Sequence, residues 1–142
     1  MSEKHYILGL DIGGTKTAVL LGDYEARTLE RRQFPTAPTR GFDTTFAVLC
    51  DNIDALLQAA RSAGPPPECI SVSIGGPMDV ERGLILSPPN LPGWDNIPLK
   101  SLLHDRYKLP VYVEHDGNTG ALAEWYFGAA RGARNVIFLT MG

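Results

Sequence analysis

The sequence predicts an α/β fold: a mixed β-sheet with helices on both faces, in the order β-β-β-α-β-α-β-α-β. Two observations predict it. Apolar segments at residues 6–11, 17–22 and roughly 28–35 follow one another closely, separated by Gly13-Gly14 and Gly22-Asp23, as in an antiparallel start. Beyond residue 41, helical and strand periodicities alternate, and strands linked by helices run parallel. A chain of 142 residues, 44% apolar and 20% charged, has the size and composition of one globular domain.

The elements follow in order. Tyr6 to Leu10 and Thr17 to Leu21 flank the turn Asp11-Ile12-Gly13-Gly14-Thr15-Lys16. Gly41-Phe42-Asp43-Thr44 is a helix-start signal. Phe46, Leu49, Ile53, Leu56, Leu57 and Ala60 then recur at helical spacing, and Gly64 with Pro65 to Pro67 ends that helix. Ile70 to Ile74 alternates as a strand and runs into Gly75-Gly76-Pro77. A loop-rich stretch from Met78 to Pro98 holds a small hairpin turn at Glu81-Arg82-Gly83 and a stiff coil from Pro88 to Trp94. Leu99, Leu102 and Leu103 suggest a short helix. Val111 to Val113 is a strand leading to Glu114-His115-Asp116, followed by a helix from about Asn118 to Phe127 and a last apolar strand at Val136 to Leu139. The chain stops at Thr140-Met141-Gly142, where a strand would deliver a loop to a site; this is the pattern of a fragment of a longer protein.

A formal net charge of −3 gives no reason to expect nucleic acid or an anionic membrane as partner. No apolar run approaches the ~20 residues of a membrane span, and no signal peptide precedes the first strand, so a cytoplasmic protein is expected. Cys50 and Cys69 match no metal spacing and are expected to be core thiols in a reducing compartment rather than a disulfide.

Ligands of such sheets collect at the carboxyl ends of the strands. The loops expected there are 75–77, 114–116 and 140–142, with the Gly13-Gly14 turn at the same edge if it serves the same site. That turn fits two readings: an ordinary hairpin, or an anion site in which the amides of Gly13 and Gly14 approach a phosphate, Thr15 adds a hydroxyl, Lys16 a cation and Asp11 a carboxylate for phosphate-bound Mg²⁺. The segment lacks the spacing of a Walker loop and the third glycine of a dinucleotide fingerprint. Asp116, between a strand and a helix, is either a helix cap or a base taking a proton from a substrate hydroxyl. Asn90 is either a turn residue or an amide suited to sugar hydroxyls. Gly76-Pro77 either presents a backbone amide or ends a strand, His115 either contacts a ligand or partners a carboxylate, and Trp94 either stacks on a sugar or packs its loop onto the body.

These motifs, taken together and in order, resemble the N-terminal domain of a ROK-family sugar kinase of the glucokinase-like type. Leu10 to Lys16 resembles the first phosphate motif; Gly75-Gly76-Pro77 with Pro89 to Trp94, the sugar-loop segment; Val113 to Asn118 with Ala121, Ala123 and Glu124, the catalytic strand-to-helix segment; and Leu139 to Gly142, the start of a second phosphate motif. The resemblance implies an actin/hexokinase-like (ribonuclease H-like) fold and phosphorylation of a hexose or hexosamine hydroxyl by ATP with Mg²⁺. It implies Asp116 as the general base and Asp11 near the metal. Gly13, Gly14, Thr15, Lys16, Thr140 and Gly142 would lie at the phosphates, and Gly76, Pro77, Asn90 and His115 at the sugar. A second domain, a structural zinc, the adenine pocket and a homodimer contact would belong to sequence beyond residue 142. One departure stands out: the family usually places Asn before the catalytic Asp, where this chain has His115, which bears on which sugar is bound. The alternatives are a sugar-responsive repressor of the same family, against which the five residues before the first strand and the acidic charge argue, and a non-catalytic sugar- and ATP-binding module.

Overall fold

In the computed structural model, which describes residues 5–62 and 64–141, the core is a five-stranded sheet in the order β3-β2-β1-β4-β8. β1 (Tyr6–Ile12) pairs antiparallel with β2 (Lys16–Asp23), which pairs antiparallel with β3 (Thr28–Pro35). On the other side β1 pairs parallel with β4 (Cys69–Ile74), and β4 with β8 (Val111–His115). Strand alternation sends Tyr6, Leu8, Leu10 and Ile12 to one face, and register aligns them with Ile70, Val72 and Ile74, then Val111 and Val113. All are nearly inaccessible to solvent, and burial of such a side chain contributes about 1.5–3 kcal/mol.

Two helices cover that face. α1 (Phe42–Ala60) inserts Leu49, Ile53 and Leu56, which recur on one helical stripe, and α2 (Leu99–Tyr107) inserts Leu99 and Leu103. A second sheet of β5 (Met78–Asp79), β6 (Leu84–Leu86) and β7 (Asp95–Ile97) adds Ile85, while the loop between β6 and β7 adds Leu91 and Trp94. α3 (Asp116–Phe127) lies on the opposite face, tied to it by Ser73 and Thr119, and buries none of its residues. The mixed sheet with helices on both faces is therefore the fold the sequence predicts.

Four details differ. The stretch expected as loop from Met78 to Pro98, with a small hairpin turn at Glu81-Arg82-Gly83, forms the second sheet of β5, β6 and β7, so the element order is not β-β-β-α-β-α-β-α-β. α1 begins at Phe42 with Gly41 as its cap, and no side chain caps it; the Thr45 hydroxyl instead donates back to the Gly41 carbonyl at 2.8 Å. α3 begins at Asp116 rather than near Asn118, because the His115 ring caps it. The strand expected at Val136 to Leu139 is coil. Its residues have strand composition but, among the described residues, no neighbouring strand to complete a ladder, and Ile137 and Leu139 are 87% and 77% exposed. Cys50 is buried and Cys69 partly buried, both as free thiols, and burial pushes the Cys50 thiol up, so it stays protonated. Trp94 packs its loop onto the body, 1% exposed and edge-on to Phe42 with centroids 5.0 Å apart. Among the described residues, no helix is long and apolar enough to cross a membrane.

Candidate active site

The β1–β2 turn is held from three directions. The Gly13 amide donates to the Lys16 carbonyl at 3.1 Å and so closes the turn itself. Thr36, just past β3, donates its hydroxyl to the Gly13 carbonyl at 2.6 Å and its amide to the Thr15 carbonyl at 3.0 Å. The same hydroxyl meets Thr17 at 2.8 Å in the interior; since Thr36 donates to Gly13, Thr17 is the donor of that pair. The carbonyls of Gly13 and Thr15 are thus both taken up by Thr36. Among the described residues no hydrogen bond occupies the N–H groups of Gly14 and Thr15. Gly13 shapes the turn, and Gly14 and Thr15 carry the amides open to an anion. Lys16 is exposed and, by strand alternation, shares with Asp11 the sheet face opposite the core.

Asn90 sits directly against this turn. A Cβ placed on Gly14 would lie 2.5 Å from the Asn90 carbonyl oxygen, so only glycine fits there. The loop that carries Asn90 is fixed by Leu91 and Trp94, both buried, and by hydrogen bonds from Leu91 N to the Pro88 carbonyl and Trp94 N to the Leu91 carbonyl. Its side-chain amide faces the end of β4: a Cβ on Gly75 would be 3.5 Å from both Nδ2 and Oδ1 of Asn90.

The same point over Gly75 is 3.7 Å from Asp116 Oδ2. Asp116 is placed by the junction of β8 and α3. Its Oδ1 accepts the Gly117 amide at 2.8 Å, its carbonyl accepts the Thr119 hydroxyl at 2.9 Å, and Thr119 in turn accepts from Ser73 on β4 at 2.8 Å. Glu114 stitches the junction from behind, one carboxylate oxygen accepting the His115 amide at 2.7 Å and the Asn118 side-chain amide at 2.9 Å. Oδ2 of Asp116 has no hydrogen-bond partner among the described residues. The carboxylate stands at the N-terminus of α3. The His115 ring lies beside it, Nδ1 3.2 Å from Asp116 Oδ1, with its Cδ2–Nε2 edge along Gly76, whose peptide bond to Pro77 is cis.

The structure therefore brings Gly13, Gly14, Thr15, Asn90, Gly76, His115 and Asp116 to one edge of the sheet, and Asp11 to the end of β1. It does not bring Thr140, which lies in exposed coil, and Gly142 lies outside the described residues. Asp11 is exposed at the carboxyl end of its strand, and the described residues contain no group of three or more metal-ligating side chains. A lone carboxylate of this kind suits Mg²⁺ that arrives on nucleotide phosphates rather than an ion held by protein alone.

Sequence motifs assign no role to Thr17, Thr36, Glu114, Asn118 or the Ser73–Thr119 pair. Thr36 reaches the turn only because β2 and β3 align Lys16 with Pro35, a register no local motif encodes. Glu114 and Asn118 did carry a signal, a carboxylate and an amide four residues apart across a strand-to-helix junction.

A model of the ROK family matches residues 7–142. A glucokinase of Streptomyces coelicolor is 38% identical over 137 residues, covering 95% of this chain and 40% of that protein. A solved structure of a ROK family glucokinase from Streptomyces griseus, in complex with glucose and AMPPNP, superposes with a TM-score of 0.75 at 33% identity, covering 89% of this chain and 38% of that one. A xylose repressor of Caldicellulosiruptor bescii is 26% identical over 136 residues, covering 96% of this chain and 34% of that protein. The chain spans about 40% of the length of the glucokinases it matches.

Proposed function

The chain belongs to the ROK family, and from that premise we propose that residues 1–142 are the N-terminal domain of an ATP-dependent kinase that phosphorylates a hydroxyl of a hexose or hexosamine. The observation that carries this reading is the meeting of Asn90 and Asp116 Oδ2 over Gly75, with the Gly14 turn packed against Asn90. A sugar hydroxyl within reach of Oδ2 would lose its proton to that carboxylate as its oxygen attacks the γ-phosphorus of ATP, whose bond to the β–γ bridging oxygen breaks to release ADP. The N–H groups of Gly14 and Thr15 hold phosphate oxygens where negative charge accumulates. Asn90, His115 and the backbone at Gly76 and Pro77 orient the sugar. Mg²⁺ bound through the phosphates near Asp11 would neutralise part of their charge. Lys16, exposed beside the turn, adds a cation at longer range.

In this reading Val136 to Gly142 closes the N-terminal domain, and Thr140 and Gly142 begin the other half of the phosphate site, which a second domain completes. The two-domain picture predicts that the 142-residue chain folds but has no kinase activity. Turnover by this chain alone would refute it. In the full-length protein, Asp116→Asn is expected to keep sugar binding and lose turnover; near-normal turnover would remove Asp116 as the base.

The repressor relatives motivate a second reading, a sugar-responsive transcriptional regulator. Sequence-specific DNA binding by the full-length protein, released by a sugar and without sugar phosphorylation, would favour it over the kinase.

A further inference from the structure

We infer that His115 is a donor-only partner for the substrate, so that the sugar group facing it must be a hydrogen-bond acceptor. The inference rests on the sugar-kinase reading above and adds to it a rule about the substrate. Nδ1 of His115 accepts the Gly117 amide at 3.1 Å. A backbone N–H can only donate, so Nδ1 carries a lone pair and the neutral ring holds its proton on Nε2. The neighbouring Asp116 Oδ1 accepts the same amide at 2.8 Å, so one N–H bridges two lone-pair atoms 3.2 Å apart.

The ring is also held sterically. A Cβ on Gly117 would lie 3.3 Å from Nδ1, and a Cβ on Gly76 would lie 3.0 Å from Cδ2 and 3.4 Å from Nε2. The imidazole therefore occupies a slot between two glycines. Its Nε2–H edge lies on the Gly76 side, next to Gly75, where Asn90 and Asp116 Oδ2 converge. An asparagine at this position would offer a carbonyl as well as an NH₂ and serve a donor or an acceptor. The histidine offers one N–H. A hydroxyl oxygen, a fluorine or an acetamido carbonyl facing it is satisfied; a bare C–H leaves the N–H unpaired.

The test has two arms. In the 142-residue chain, ¹⁵N-resolved imidazole spectra at neutral pH are expected to show His115 protonated on Nε2 and bare on Nδ1. A proton on Nδ1, donated to Asp116, would overturn the inference without reference to any substrate. In the full-length protein, kcat/KM is measured for a phosphorylated hexose and its monodeoxy and monodeoxyfluoro analogues. One position is expected at which the deoxy sugar loses roughly 10-fold or more and the fluoro sugar recovers part of the loss. That difference is expected to vanish in His115→Ala. If hexoses are phosphorylated but no position behaves so, the donor rule fails and the kinase reading stands. If no hexose is phosphorylated or bound, the kinase reading fails and the donor rule with it, whatever the ring tautomer.

Discussion

Gly13-Gly14-Thr15 and the segment ending at Thr140-Met141-Gly142 carry the same residue types after the same kind of apolar run, yet they differ in what stands behind them. The first is closed by its own Gly13–Lys16 hydrogen bond, propped by Thr36 and flanked by Asn90. Among its described residues the second has none of these: Phe138, Leu139 and Met141 are 40%, 77% and 94% exposed, and no strand lies beside them. The first turn is thus organised by the groups that take up the Gly13 and Thr15 carbonyls and by a closure that leaves the Gly14 and Thr15 amides without a partner among the described residues. Glycine and threonine permit such a turn; they do not build it.

The comparison is tested most severely at the organised edge. Asp116→Asn in the full-length protein should lower kcat by about 10²–10⁴-fold with sugar affinity retained, measured by turnover and calorimetry side by side. A parallel loss of sugar affinity would mean that the edge is a binding surface only. Gly14→Ala is next. Its new methyl meets backbone of the Asn90 loop, which cannot swing aside like a side chain, so a loss of about 1–3 kcal/mol is expected in urea unfolding of the 142-residue chain. An unchanged midpoint would show that turn and loop are not in contact. Thr36→Val should cost about 1–2 kcal/mol, because it leaves the Gly13 carbonyl and the Thr17 hydroxyl without their partner. Leu139→Asp should change the stability of the same chain by less than about 0.5 kcal/mol, as an exposed coil position does. A cost above ~1 kcal/mol would erase the contrast between the two segments.

Much of the sheet was legible in the sequence because its signals are local. The alternation in Ile70 to Ile74 and the helical stripe Leu49, Ile53 and Leu56 each encode which face is buried without reference to a partner. Val136 to Leu139 carries an equally strong apolar signal and is coil, since strand formation is decided by a neighbour rather than by the segment. The site divides the same way. Asp116, Asn90 and the glycine turn announce themselves by residue type and spacing. Thr36 does not, and the use of the Gly13 amide in closing its own turn is hidden too, because both depend on the β2–β3 and β1–β2 registers. The Trp94 alternatives were settled by burial against Phe42, which no single-residue argument could reach.

β8 ends at His115 and α3 begins at Asp116, with no residue between them. The junction therefore has no slack in chain length. One residue inserted in β8 would turn its side chains to the other face of the sheet, and one inserted in the first turn of α3 would rotate the remainder of the helix by roughly 100°. The first would carry the Asp116 carboxylate out of line with Gly75, and the second would take Thr119 away from the Asp116 carbonyl and Ser73 that it joins. The connection from α1 to β4, by contrast, enters the sheet beside Tyr6 at the start of β1, where Glu68 N donates to the Tyr6 carbonyl, and no residue of the site depends on its length. Descendants of this sequence are free to lengthen or shorten there, while the stretch from Val111 to Thr119 is expected to drift in composition but never in count.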